Sequence, residues 1–268
     1  MPELPEITHL AEQMHTHLTG KTILNLNVLN PKCLNLPPEE FQAAVSGATL
    51  EGTHARGKWI FTRTTCGWLL LNLNMGGEVL LVTPTDLPEK RRLVLDFSDG
   101  TCLSLNFWWM GFLHHVALDG LASHTSTAKL GPNALEISEQ DFTHRLQGKR
   151  GTLKAFLLDQ AALAGIGNAY VHDILFLAHL HPLRKIESLT AQDVSNLFLA
   201  IHAGLEPSLK KGGAFYEVDL FGHKGGFTME DILIGYKQDQ PCPVCATPII
   251  KIKTGSTSSF ICPNCQPE

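Results

Sequence analysis

Four cysteines constrain this chain more than any other feature. Cys242-Pro-Val-Cys245 and Cys262-Pro-Asn-Cys265 are two Cys-x-x-Cys pairs separated by sixteen residues. Each pair can form a tight knuckle presenting two thiolates, and the two knuckles together give a closed tetrahedral zinc site with four cysteine ligands. Ile249-Ile250-Lys251-Ile252-Lys253 and Ser259-Phe260-Ile261 then supply the two strands of a hairpin between the knuckles. A closed site has no open position for catalysis, so the zinc is structural: it folds a hairpin too small to stand alone. Cys33, Cys66 and Cys102 are scattered, and no secretory signal is visible, so the pairs read as a metal site rather than as disulfides.

The rest of the chain divides by hydrophobic period. Ile7, Leu10, Ala11, Met14 and Leu18 follow helical spacing, which predicts an amphipathic helix over residues 4–18 ending at Gly20. Residues 22–118 read as β structure. Strands are expected at 23–29, 59–61, 68–73, 79–82, 93–97 and 102–105, with a hairpin turn at Ser98-Asp99-Gly100. Many short strands with turns between them suggest a sandwich. After residue 136 the period becomes helical. Short helices are expected at 142–146 and 153–158, and a third at 168–178. A longer helix opens on the capping pattern Thr190-Ala191-Gln192-Asp193 and stops at Gly212-Gly213. The expected fold class is α+β: an N-terminal β-sandwich flanked by helices over 1–120, a linker over 121–136, a helical domain over 137–236, and a zinc ribbon over 237–268.

With 268 residues, 44% of them hydrophobic and 18% charged, the chain is long enough for two domains. No apolar run approaches the ~20 residues of a membrane span, so a location in the cytoplasm and no membrane partner are expected. The net charge of −5 argues against broad nucleic-acid binding. Its distribution allows local contact, because residues 149–185 carry five cations against two carboxylates.

Three short stretches can carry chemistry. The chain opens Met1-Pro2-Glu3-Leu4-Pro5-Glu6. If Met1 is removed, Pro2 carries a free secondary amine that titrates near pH ~8, far below the ~10.4 of a lysine. A neutral amine can attack a carbon electrophile and form an iminium, and Glu3 is placed to move protons for it. On these residues alone, a rigid lead-in to a helix is the better explanation. Gly165-Ile166-Gly167-Asn168 can bring backbone amides and a side-chain amide to a phosphate, or can simply be a turn with a cap. Lys58, in the turn Arg56-Gly57-Lys58, can bind phosphate or be solvated. Met75, before Gly76-Gly77, can wedge into a base stack or sit in the core.

Taken together and in order, these motifs resemble the formamidopyrimidine-DNA glycosylase/endonuclease VIII family over nearly the whole length. The resemblance rests on Pro2 to Glu6, Arg56-Gly57-Lys58, Leu130-Gly131-Pro132, Leu157 to Gln160 running into Ala164 to Asn168, His181-Pro182, Gly212-Gly213 and the four-cysteine finger. It implies a helix–two-turn–helix element near Leu158 to Pro182, a monomer, and damaged, abasic or distorted duplex DNA as the partner, in the nucleoid. It also implies base flipping, then base excision and strand cleavage through a Schiff base on Pro2, with Glu3 as proton donor and acceptor and Glu6 supporting the site. Lys58 and Asn168 would hold phosphates beside the lesion, with help from Lys154.

The chain also departs from the family. Where members usually carry Asp-Pro-Arg-Arg-Phe-Gly, this chain has Phe107-Trp108-Trp109-Met110-Gly111, so Trp109 and Met110 join Met75 as the residues that would fill the hole left by a flipped base. Asn74 stands for a frequent arginine, and Thr257 for a phosphate-binding arginine of the finger. The loop 214–228 is shorter than the one that caps oxidised guanine. These changes predict a lyase whose base preference is altered from oxidised guanine. The alternative is a catalytically weak or inactive homologue that recognises distorted or branched DNA.

Overall fold

The structure is a computed structural model and describes residues 1–268 except Trp109. It divides into two units. The first comprises Met1–Lys129 and Lys211–Gly226, and the second Leu130–Lys210 and Phe227–Glu268.

The first unit opens with helix α1 (Leu4–Leu18), whose Ile7, Leu10, Ala11, Met14 and Leu18 are buried on one face as the spacing predicts. Strands β1 (Ile23–Val28), β2 (Leu50–Arg56), β3 (Trp59–Thr64), β4 (Gly67–Asn72), β5 (Glu78–Val82), β6 (Leu93–Phe97), β7 (Cys102–Asn106) and β8 (Phe112–Val116) follow, with helix α2 (Pro38–Val45) after the first of them. They form two four-stranded antiparallel sheets, in the orders β1-β6-β7-β5 and β2-β3-β4-β8. The apolar stripe of α1 joins Leu26, Leu71, Leu95, Leu105 and Phe97 in one core. Each such side chain stabilises the fold by about 1.5–3 kcal/mol on burial, so this stripe fixes the helix firmly on the sandwich and holds the residues just before it in place.

Elements α2, β2 and β8 lie outside what the sequence predicts. Helix α2 is eight residues long and buries only Phe41 and Val45, too short a stripe to show a period. Strand β2 has Glu51, Gly52, Thr53 and His54 in its middle, and β8 has His114 and His115. Both are strands because of their partners rather than their own composition.

In the second unit, α3 (Glu139–Leu146) and α4 (Leu153–Leu158) match the expected short helices. Turns at 160–162 and 168–170 lead from α4 into α5 (Val171–Leu177), giving a helix–two-turn–helix. The third helix therefore starts at Val171 rather than Asn168, because the chain is still turning through Tyr170. In α6 (Ala191–Lys210) the capping pattern is reciprocal: Asp193 N–H donates to Thr190 Oγ1 at 3.1 Å, and Thr190 N–H to Asp193 Oδ2 at 2.9 Å. The ribbon strands β9 (Ile250–Thr254) and β10 (Thr257–Ile261) pair antiparallel around a turn at Gly255.

One boundary differs from expectation. Residues 211–226 follow the helical segment in sequence but belong to the first unit. Glu6, Gln13 and Leu81 each hold a backbone group of this loop: Glu6 Oε1 accepts from Ala214 N–H, Gln13 Oε1 from Leu220 N–H, and Leu81 N–H donates to Leu220 O. The ribbon lies in the same compact unit as the helices. Among the described residues, no helix is long and apolar enough to cross a membrane.

Candidate functional site

The N-terminus of the first unit is a buried, charged corner. Pro2, Glu3 and Glu6 are all buried, with Glu3 3% exposed. Glu3 precedes α1 as its N-cap, so Glu6 stands one helical turn further on. Glu6 Oε2 accepts from Glu3 N–H at 2.8 Å, and its Oε1 accepts from Ala214 N–H at 3.1 Å. One carboxylate thus ties the first residues of α1 to the loop 211–226. Gly213, at φ +94°, lies against Glu6: a Cβ there would stand 2.9 Å from Glu6 Cγ.

Lys58 comes to this corner from the β2–β3 turn. Gly57 takes φ +59°, a left-handed conformation that L side chains rarely adopt, and so lets the strand reverse in two residues. Asn72 Nδ2 donates to Lys58 O at 2.9 Å, which fixes the turn against β4. Lys58 Nζ then lies 4.0 Å from Glu3 Oε1, with both side chains largely shielded from water. The fold therefore brings Pro2, Glu3, Glu6 and Lys58 together, from segments more than fifty positions apart in sequence. The loop adds Glu217, for which the sequence carries no signal: its Oε1 lies 3.2 Å from the Met1 amine. Chemically, the corner combines proton-transferring carboxylates with a lysine that can face a phosphate.

Met75 and Met110 sit elsewhere on this unit, at a solvent-exposed tip. They are 53% and 62% exposed, and Trp108, not among the expected site residues, is 77% exposed. Trp109 lies outside the described residues. Asn74 Nδ2 donates to Met110 O at 3.0 Å, and Gly76 backs onto Trp108, so two chain segments meet in one apolar point. Asn74 and Met110 both take φ +48°, which turns each backbone sharply at the apex. Arg92 donates to Trp108 O at 3.5 Å from below the tip.

The second unit holds the cysteines. All four Sγ atoms of Cys242, Cys245, Cys262 and Cys265 lie within 4.8 Å of one another. A tetrahedral zinc with ~2.3 Å Zn–S bonds needs sulfurs about 3.8 Å apart; the Cys242–Cys265 separation is 3.9 Å and Cys245–Cys262 is 3.4 Å. The donor set fits structural zinc, which fastens the two knuckles at the base of the hairpin.

Lys154 requires a correction. The family resemblance implies a DNA contact, yet the residue is 3% exposed, and its ammonium is spent on the ribbon. Nζ donates to Thr254 Oγ1 at 3.1 Å, Thr257 Oγ1 at 3.0 Å, Ser258 O at 2.7 Å and Ser259 Oγ at 3.0 Å. Burial pushes the ammonium down to about 8. Lys154 docks the hairpin on α4, and Thr257, which stands where the family has an arginine, is one of its acceptors. Asp173 does similar work on α5, accepting from the N–H groups of Leu233, Ile234 and Gly235 at 2.7–3.0 Å. Asn168 stands in the turn before α5. Its side-chain oxygen is buried without a hydrogen-bond partner, so that oxygen does not cap the helix.

A sandwich unit with a charged N-terminal corner, joined to a helix–two-turn–helix and a four-cysteine ribbon, defines a class of base-excision DNA glycosylases. Comparison with known proteins narrows the class. Residues 1–106 match the formamidopyrimidine-DNA glycosylase N-terminal domain, residues 130–218 its H2TH domain, and residues 239–267 the zinc finger found in FPG and IleRS. The chain belongs to the formamidopyrimidine-DNA glycosylase family. It is 33% identical over 272 residues to a formamidopyrimidine-DNA glycosylase of Chloroflexus aurantiacus, covering 99% of this chain and 98% of that one. Its identity to the Oceanobacillus iheyensis protein of the same name is 31% over 275 residues, covering 100% and 98%. Among solved structures it resembles the Lactococcus lactis Fpg in complex with DNA containing an abasic site, at TM-score 0.90 and 25% identity, covering 99% of this chain and 100% of that one. A second complex of that protein, with DNA containing N7-benzyl-Fapy-dG, gives TM-score 0.90 at 26% identity with both chains fully covered.

Proposed function

We propose that this chain is a bifunctional DNA glycosylase and abasic-site lyase that works through the amine of Pro2, with a base preference altered from oxidised guanine. The observation that carries the reading is the corner itself: Glu3 buried at the start of α1, 4.0 Å from Lys58, with Glu6 bracing the segment that bears the amine. Removal of Met1 frees that amine. Its lone pair forms a bond to the sugar C1′ as the glycosidic bond breaks and the base leaves with the bonding electrons and a proton. Glu3 protonates the ring oxygen as the sugar opens, leaving an iminium on Pro2. Loss of a C2′ proton then expels the 3′ phosphate, and a second elimination expels the 5′ phosphate. Lys58 faces one lesion phosphate, and the side-chain NH2 of Asn168 is the donor for another, as the family resemblance implies.

The apolar tip of Met75, Trp108 and Met110 favours the altered preference. An arginine fork can pair with an orphaned base, whereas methionine and tryptophan can only fill space and stack. Oxidised pyrimidines, formamidopyrimidines and abasic sites make no demand for that fork. Trp109 and Met110 in place of the family's arginine and phenylalanine, with Thr257 at the ribbon, favour a second reading: a homologue that binds distorted DNA with little chemistry.

Borohydride trapping on duplex DNA holding one abasic site separates the two readings. Protein shown by mass spectrometry to lack Met1 should give a covalent adduct that weakens or disappears in Pro2→Gly. No adduct from the processed protein would sink the lyase reading and leave structure-selective binding, measured on bubble and branched DNA.

A further inference from the structure

The corner holds a carboxylate that the mechanism above does not use. Glu217 sits in the loop 211–226, and the partner the structure gives its carboxylate is the N-terminal amine, 3.2 Å from Oε1. Its place is built rather than incidental. Glu217 N–H donates to Ala214 O at 3.0 Å, and its own carbonyl accepts from Gly225 N–H at 3.3 Å. Ala214 is held by Glu6, and Leu220, three residues on from Glu217, is held by Gln13 of α1 and by Leu81 of β5. The loop is thus pinned on both sides of Glu217.

The other charges around the corner have different work. Glu6 has a backbone N–H on each oxygen. Glu3 faces Lys58. Asp219 accepts from Gln13 and pairs with His223, and His9 lies against Gly212. Processing moves the amine by one residue, at most about 3.6 Å along the chain. That leaves it within ~7 Å of the carboxylate before any side-chain adjustment.

Resting on the reading of Pro2 as nucleophile, we propose that Glu217 is a positioning residue for the Pro2 amine: it holds the ammonium form in the corner and sets the pH above which the amine becomes nucleophilic. The physical cause is charge. A carboxylate near an ammonium favours the protonated amine and raises its pKa, and screening by water is weak where the carboxyl is itself shielded. Burial pushes the Glu217 carboxyl up while the amine charge pulls it back, so the amine favours the charged carboxylate. Glu217 therefore keeps the free enzyme's amine in one place, and loses its partner when the amine gives up its proton to attack.

The test is an NMR titration of 13C-proline-labelled protein lacking Met1, with the Pro2 signal identified by its absence in Pro2→Gly. In Glu217→Gln the amine should titrate about one pH unit lower than in wild type. Glu217→Asp, which keeps the charge, should titrate closer to wild type. Coincident wild-type and Glu217→Gln curves would overturn the proposal, as would equal shifts in both variants, because a shift common to both comes from a disturbed loop and not from charge. The same samples go into borohydride trapping. A downward shift with no adduct in wild type would remove the nucleophile reading and leave the Glu217–amine pair standing. An adduct with coincident curves would do the reverse.

Discussion

At the scale of single residues, the most consequential side chain outside the N-terminal corner is Lys154. An ammonium surrounded by four oxygens serves as a rivet: three hydroxyls and a carbonyl of the ribbon point inward because the charge is there. Lys154→Met keeps the volume and removes the donor, leaving the Thr254 and Ser259 hydroxyls with only each other and the hairpin backbone. We expect the second unit to lose roughly 2–3 kcal/mol, read from urea unfolding, since hydrogen bonds to a charged group are worth ~1.5–3 kcal/mol. A loss below about 0.5 kcal/mol would return Lys154 to the DNA contact that the family resemblance implies. The sequence misleads here because all four acceptors lie about a hundred positions further along the chain. Nothing local distinguishes a lysine aimed at solvent from one aimed at a distant hairpin. Glu217 is illegible for the same reason. Pro2, Glu3 and Glu6 are legible because one helix turn relates them, and the cysteines because their spacing alone defines a metal site.

At the scale of elements, β8 carries an unusual load for a strand. His114 Nδ1 lies 2.9 Å from His124 Nε2, and both rings pack with Trp59. Burial, with His124 as the second cause, pushes His114 down to about 4 from its usual ~6.5. The folded chain thus refuses a proton that the unfolded chain accepts. Above about pH 6.5 both states are neutral and the pair has no effect on stability. As pH falls from ~6.5 towards 4, the unfolded state gains protons first and stability declines. Urea midpoints of the first unit should therefore be flat from pH 8 to 7 and fall through pH 5. In His114→Phe the acid decline should be shallower, and parallel curves for the two proteins would rule the pair out as its source. Strands with regular alternation, such as β6 and β7, are readable in advance. Strand β8, with two histidines at its centre, is not, because its burial comes from β4 and the aromatic cluster rather than from its own hydrophobicity.

At the scale of the whole molecule, a net charge of −5 sits on a chain whose family partner is a polyanion. Local chemistry must therefore carry recognition, and on the tip that chemistry is apolar. If Met75, Trp108 and Met110 only fill space, strand cleavage at an abasic site should vary by less than about threefold with the base opposite. A bidentate arginine contact would instead discriminate by ~1–3 kcal/mol, or roughly 5- to 150-fold. Rates on four duplexes differing only in that base decide the matter, and a spread beyond tenfold would mean that another group reads the orphan. The order of sandwich, helices and ribbon is legible because the first two differ in hydrophobic period and the third is marked by its cysteines. The attachment of residues 211–226 is not, since three hydrogen-bonding partners far back in the chain determine it. That attachment also governs how the protein can be cut. The chain crosses from one unit to the other three times, near residues 129, 210 and 226. A fragment ending at the first crossing would contain every strand of the sandwich yet leave Glu6 without its second amide and the amine without Glu217. Gene truncation or domain shuffling at that boundary would therefore part the first 129 residues from the loop that Glu6, Gln13 and Leu81 hold.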